Sequence, residues 1–174
     1  MEKAEALELL ELNRQALLGD DTEGCVMCAL VTLVTRDRTR PELLAENEHG
    51  VVVLDRFGST RGHVLVISRQ HFLDTAELPW PVYSELQQLN YDACCAVRRA
   101  FQPARVFSAI LGTSAELPMS FPHFHIHALP VYDRDERARP AYVFSWSSGV
   151  LVYDEGDVVQ LSDELRAAWP RRGS

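Results

Sequence analysis

The stretch His-Phe-His-Ile-His-Ala-Leu at 123–129 alternates imidazoles with apolar side chains. On a strand, alternate residues share a face, so His123, His125 and His127 line one side, about 7 Å apart, and Phe124, Ile126 and Ala128 the other. A helix would scatter both sets around its axis. Such a strand belongs in a sheet with one apolar face, and that face needs further strands beside it and a helix over it.

The chain supplies both. VVVLD (Val51–Asp55) and HVLVI (His63–Ile67) are strand-like, and RFGSTRG between them has hairpin chemistry through Gly58 and Gly62. Leu43–Glu46 predicts a shorter strand and Val106–Leu111 another. Val82, Leu86, Leu89, Ala93, Val97 and Phe101 recur every three or four residues, which predicts one long amphipathic helix with Pro81 in its first turn.

The spacing predicts a helix over 2–18, with Leu7, Leu10, Ala16 and Leu17 broadly on one side and Gly19 ending it. A loop from Asp20 to Met27 follows. AYVFSW and VLVYD predict a terminal hairpin, and 162–168 a short closing helix. The fold class is α+β, with an antiparallel sheet of about five strands, one long helix packed on it, an N-terminal helix and a C-terminal hairpin/helix extension. Neither repeat nor linker divides the 174 residues, so one domain spans 1–174, with its core at roughly 25–130 and an extension over 131–174.

An apolar fraction of 47% with 24% charged residues is that of a soluble globular chain. The formal charge of −8 argues against nucleic-acid binding. It leaves room for a small phosphate-bearing ligand, with Arg56, Arg61, Arg134, Arg137 and Arg139 as local cations. The start MEKAEALELLELNRQ lacks the continuous apolar core of a secretory signal, and no apolar run is long enough to span a membrane. The expected compartment is the cytoplasm. There a Cys25-Val26-Met27-Cys28 spacing suggests metal or redox chemistry rather than a disulfide. No thioredoxin-like βαβ order surrounds it, and a zinc site would need two more ligands from His49, His63, His71 or the alternating histidines. Cys94 and Cys95 lie in the long helix, where at least one packs as a small apolar side chain.

Imidazole titrates near neutrality, so a neutral Nε2 can attack phosphorus while its neighbours move protons. HFHIHAL resembles the motif of the histidine-triad (HIT) superfamily of nucleotide hydrolases and transferases, and LDRFGSTRGHVLVISRQH is similar to that superfamily's nucleotide-binding strands. The resemblance covers roughly residues 25–130. It implies a HIT-like fold with His125 as nucleophile, His127 contacting the scissile phosphate and assisting the leaving group, Asp55 holding the ribose hydroxyls and Ser120 offering a hydroxyl near the phosphate. As in some branches of the superfamily, it also implies a structural zinc on Cys25, Cys28, His71 and His123, and homodimers paired through the long helix and an edge strand. The approach GTSAELPMSFPH departs from the family, with Met119 in place of a glutamine and Pro118 stiffening the loop.

The expected function is hydrolysis or nucleotidyl transfer on a phosphoanhydride or phosphoramidate, through a nucleotidyl-His125 intermediate. A dinucleoside polyphosphate or nucleoside phosphoramidate would be the small-molecule partner, with neither nucleic acid nor membrane. The alternative is a zinc-stabilised nucleotide-binding module with little or no turnover.

Overall fold

The computed structural model describes residues 1–21, 23–112, 121–146 and 149–171. Its centre is an antiparallel sheet of β1 (Leu43–Glu46), β2 (Gly50–Leu54), β4 (Val64–Ser68), β6 (His125–Val131) and β5 (Arg105–Ala109), in that spatial order. β6 therefore lies between β4 and β5. His125 stands opposite Ile67 and His127 opposite Leu65.

Side-chain alternation divides the sheet into two faces. Val52, Leu54, Val64, Val66, Ile126 and Ala128 pack under the long helix α3 (Trp80–Phe101), against Leu86, Leu89, Ala93 and Val97. The closing helix α5 (Glu155–Ala167) completes that layer with Val158, Leu161 and Leu165.

On the opposite face two separate covers sit side by side. Helix α2 (Val26–Arg36) places Met27, Val31 and Val34 over Val51, Val53, Leu65 and Ile67. A turn at Glu136–Ala138 and the short helix α4 (Pro140–Phe144) cover Leu129 and Val131. His125 and His127 lie in the gap between the covers. Helix α1 (Lys3–Leu18) packs on α2. Its N-terminal end is held by the Val150 N–H donating to the Met1 carbonyl at 3.0 Å and by Lys3 Nζ donating to the Ser145 carbonyl at 3.1 Å.

Three expectations are corrected. The cysteine pair does not sit in a simple loop, because Cys28 lies in the first turn of α2 and Cys25 is its N-cap, with Sγ accepting from the Cys28 N–H at 3.5 Å. The terminal hairpin does not form. Residues 140–144 are helical, with Pro140 in the first turn where its missing N–H costs nothing, and Leu151–Val152 (β7) pairs instead with Phe57–Gly58 (β3). The catalytic-looking strand begins at His125 rather than His123. His123 precedes it in a bend, where its N–H donates to the Phe121 carbonyl at 2.7 Å. Among the described residues no helix is long and apolar enough to cross a membrane.

Gly62 sets the entry into β4. Its φ is +79°, and a Cβ there would collide with the Phe101 ring at the end of α3. Gly62→Ala is expected to destabilise the protein by about 2 kcal/mol or more, from backbone strain and overpacking together. A urea midpoint lowered at unchanged m-value would show it; an unaltered midpoint would contradict this placement of Phe101.

Candidate functional site

The bend before β6 sends its three histidines to different tasks. His123 is fully buried and turns to the cysteine pair. Its Nε2–H donates to the Ser68 carbonyl at 2.7 Å, which leaves Nδ1 unprotonated. That Nδ1 lies 3.4 Å from both Cys25 Sγ and Cys28 Sγ, and His71 Nδ1 lies 3.3 Å from Cys28 Sγ. The four donor atoms fall within 4.8 Å of one another and could hold a metal ion.

The chemistry of that donor set fits a tetrahedral cation. Metal–sulfur and metal–nitrogen bonds of about 2.3 and 2.0 Å place sulfur and nitrogen about 3.5 Å apart in a tetrahedral zinc site. Burial holds His123 neutral, with a pKa down to about 4, as a ligand requires. Burial and the neighbouring Cys25 push the Cys28 thiol up to about 11, so Cys28 keeps its proton until a cation compensates the charge.

His125 faces the cleft. Its Nδ1 lies 2.7 Å from the backbone carbonyl of His123. A carbonyl can only accept, so Nδ1 carries the proton and Nε2 keeps its lone pair. Burial lowers the pKa of this imidazole, and the neighbouring His63 adds to that effect.

His127 is ringed by other aromatic side chains. His63 stacks on it with centroids 5.1 Å apart, His125 meets it edge-on at 4.8 Å and Phe144 of α4 edge-on at 5.4 Å. The imidazole row is thus tighter at the rings than the strand rise alone suggests. Burial, with His63 and His125 nearby, holds His127 neutral with a pKa down to about 2.

Behind it runs a polar chain. His63 Nε2 is 3.0 Å from His127 Nδ1, and His63 Nδ1 is 3.0 Å from Asp55 Oδ2. With the Nδ1 proton of His63 facing the carboxylate, His63 Nε2 accepts from His127 Nδ1–H and the lone pair of His127 Nε2 is left free. Burial pulls the Asp55 carboxyl upward, but contacts to His63 and the Phe57 N–H outweigh it and hold the group below its ordinary value. Oδ1 accepts from that N–H at 2.9 Å.

These groups open on one cleft of about 660 Å³, inside the range of small-molecule sites. Val26, Leu30, Val53 and Phe121 give it an apolar end, while Ser59, Phe144 and Trp146 lie at the other wall. Asp55, His125 and His127, expected to act together, do line this cleft, whereas Cys25, Cys28, His71 and His123 gather at the separate metal-competent cluster beside it. Ser120, Met119 and Pro118 lie outside the described residues. Most of the arginines considered for phosphate are already paired: Arg56 with Glu42 and Glu155, Arg61 with Glu164, Arg137 with Asp133 and Asp135, and Arg139 with Glu136.

Sequence reasoning gave His63 no part in the catalytic row, naming it as the start of a strand and one of several candidate zinc ligands, and it missed Phe144. The Gly-His pair before an apolar strand was a signal for His63. Phe144 had none, because its contact with His127 is made across the fold.

Comparison with known proteins bears on the family and the fold. A HIT domain family model matches residues 38–134, more than half of the chain. An uncharacterised 16.1 kDa HIT-like protein of Mycoplasma pneumoniae is 24% identical over 110 residues, 63% of this chain and 73% of that protein. The crystal structure of a zinc-bound histidine triad family protein from Mycobacterium smegmatis superimposes with a TM-score of 0.60 at 25% identity, covering 84% of this chain and 93% of that one. Plasmodium falciparum diadenosine triphosphate hydrolase shares the fold, with a TM-score of 0.58 at 13% identity over 74% of this chain and 76% of its own.

Two outcomes are expected. Dialysis of the purified protein against Zn²⁺ should leave one equivalent bound, and Cys28→Ser or His123→Ala should lose it; retention by both variants would place the metal elsewhere. For His127, the folded pKa lies below the unfolded value of about 6.5, so the unfolded chain binds the extra proton and stability falls as pH drops below about 6.5. Wild type should therefore lose unfolding free energy more steeply than His127→Asn below that pH, by up to about 1.4 kcal/mol per pH unit. Denaturant titrations of both proteins at several pH values check this, since the metal cluster titrates alike in the two and cancels in the difference. Parallel curves would show that His127 is not held neutral.

Proposed function

The chain belongs to the HIT domain family, and from that premise we propose that it is a nucleotide hydrolase or nucleotidyl transferase working through a covalent nucleotidyl-His125 intermediate. The observation that carries this reading is the 2.7 Å contact between His125 Nδ1 and the His123 carbonyl. It fixes the tautomer, leaving Nε2 of His125 neutral, unprotonated and on the cleft.

In the first step His125 Nε2 attacks the phosphorus of a bound nucleotide conjugate. An Nε2–P bond forms, the bond from phosphorus to the leaving group breaks, and its electron pair departs with the leaving atom; a phosphate leaves as the anion, whereas an amine takes a proton from solvent on its nitrogen as the bond breaks. In the second step an acceptor attacks the same phosphorus, the N–P bond breaks, and His125 returns to its starting form. With water as acceptor the product is a nucleoside monophosphate. To His127 Nε2, the ring nitrogen left free by the contact of Nδ1 with His63, we assign the proton of that water, which then passes to solvent so that His127 also regains its neutral form. Asp55, whose carboxylate stays ionised, holds the ribose hydroxyls, and Ser120 offers its hydroxyl to the phosphate.

Cys25, Cys28, His71 and His123 hold a zinc ion in this reading, supported by the donor spacing and by the zinc-bound M. smegmatis relative. Bound there, zinc supplies structural cross-linking. His123 then has a dual position, its ring at the metal cluster and its carbonyl on His125. The edge strand β5 and the exposed Tyr91 of α3 support a homodimer paired through that side of the sheet. The reduced thiols of the cluster suit a cytoplasmic setting.

The test is product release from dinucleoside polyphosphates, nucleoside phosphoramidates and nucleotide sugars by wild type and His125→Asn. Wild type should turn over at least one class, and the variant should lose about 10³-fold or more while still binding nucleotide. Binding by both with turnover by neither would replace the enzyme reading with that of a nucleotide-binding module.

A further inference from the structure

The inner face of α1 forms a roof over the candidate active site. Lys3, Leu10 and Leu17, each seven residues apart, and Asn13 on the same side all line the cleft that contains His125 and His127. From Lys3 to Leu17 is about 21 Å of helix. Polarity changes along it. Leu10 and Leu17 are half-buried, with α1 packed on α2, whose Val26 and Leu30 line the apolar end of the cleft. Lys3 reaches the other end, where its Nζ donates to the carbonyl of Ser145, the residue after Phe144, whose ring touches His127.

Charge accounting singles out that lysine. Among the described residues, the cleft is lined by three cations, Lys3, Arg40 and Arg56, and three carboxylates, Glu42, Asp55 and Glu155. Arg40 is tied to Glu42, and Arg56 to both Glu42 and Glu155. Asp55 is engaged by His63. Among the described residues, Lys3 pairs with no carboxylate and makes only the neutral carbonyl contact. Among the described residues, a cleft that must hold a polyanion therefore has one cation left to offer it, at the His127 end.

We propose that Lys3 is a substrate-binding residue that meets the phosphate of the leaving group, so that the site selects nucleotide conjugates with an anionic phosphate leaving group, phosphoanhydrides, over phosphoramidates that expel a neutral amine. This rests on the nucleotidyl-His125 reading. When the bond from the attacked phosphorus to the bridging oxygen breaks, the electron pair and negative charge pass to the departing phosphate. The ammonium of Lys3 stabilises that charge as it develops, with no proton transfer required. The apolar stretch of the roof lies over the nucleoside.

The experiment compares wild type, Lys3→Gln and Lys3→Arg on a dinucleoside triphosphate and on a nucleoside phosphoramidate with a neutral amine leaving group. Calorimetric affinities for a nucleoside triphosphate and monophosphate are measured in parallel. Lys3→Gln removes the charge and retains an N–H donor on a side chain one atom shorter. It is expected to lower kcat/KM for the triphosphate about 10- to 100-fold, to change the phosphoramidate less than about 3-fold, and to be rescued by Lys3→Arg. The triphosphate rate of wild type, but not of Lys3→Gln, should fall with rising salt. Equal losses on both substrates, no loss, or wild-type turnover confined to the phosphoramidate would each overturn the proposal. If wild type turns over neither substrate, the catalytic reading itself fails and the affinities decide. Weaker triphosphate binding with unchanged monophosphate binding in Lys3→Gln keeps Lys3 as a phosphate ligand, and parallel changes make it only a tether for α1.

Discussion

The pairing of β6 with β4 places Leu65 beside His127 and Ile67 beside His125, and the two faces of the molecule follow from it. On one side of β6, Phe124, Ile126 and Ala128 complete the core under α3. On the other, the histidines stand between the two covers. A one-residue slip of β6 would drive imidazoles into the packed core and expose Ile126 to the cleft, so register is enforced by the cost of burying unpaired polar rings. The apolar core thus fixes the position of the candidate catalytic groups without touching them.

The site is assembled by neighbouring groups settling one another's proton positions. The Ser68 carbonyl orients His123 so that Nδ1 looks toward the cysteines, and the His123 carbonyl orients His125 so that Nε2 looks into the cleft. Asp55 and His63 do the same for His127. Each orienting acceptor or donor is held in or beside a strand or turn of the sheet, which gives the rings little rotational freedom.

Much of this was legible in the sequence. Period-two alternation at 123–129 and the apolar runs at 51–55 and 63–67 identified the central strands because a sheet with one apolar core face writes that period directly. The four metal-competent residues could be named from their resemblance to a zinc-binding branch, and the fold brings them together. Helix α2 was not legible. Val26–Arg36 is rich in β-branched residues and has no Ser, Thr, Asp or Asn at its start, so its helicity depends on packing against Val51, Val53 and Leu65. The segment 140–152 failed in the reverse direction, since residues with strand propensity were drawn into a short helix over Leu129 and Val131 and a bridge to Phe57–Gly58. Contacts such as Phe144 with His127 and Lys3 with Ser145 join residues far apart in the chain, and no local pattern encodes them.

The central claim is that His125 becomes covalently nucleotidylated. Rapid-quench intact-mass spectrometry of the protein during turnover of a dinucleoside triphosphate tests it most directly, with peptide mapping of any adduct. The account predicts a transient, acid-labile gain of one nucleoside monophosphoryl group on the peptide containing His125, lost again as substrate is exhausted and not formed by His125→Asn. Turnover without any adduct, or an adduct carried by His127, would contradict it.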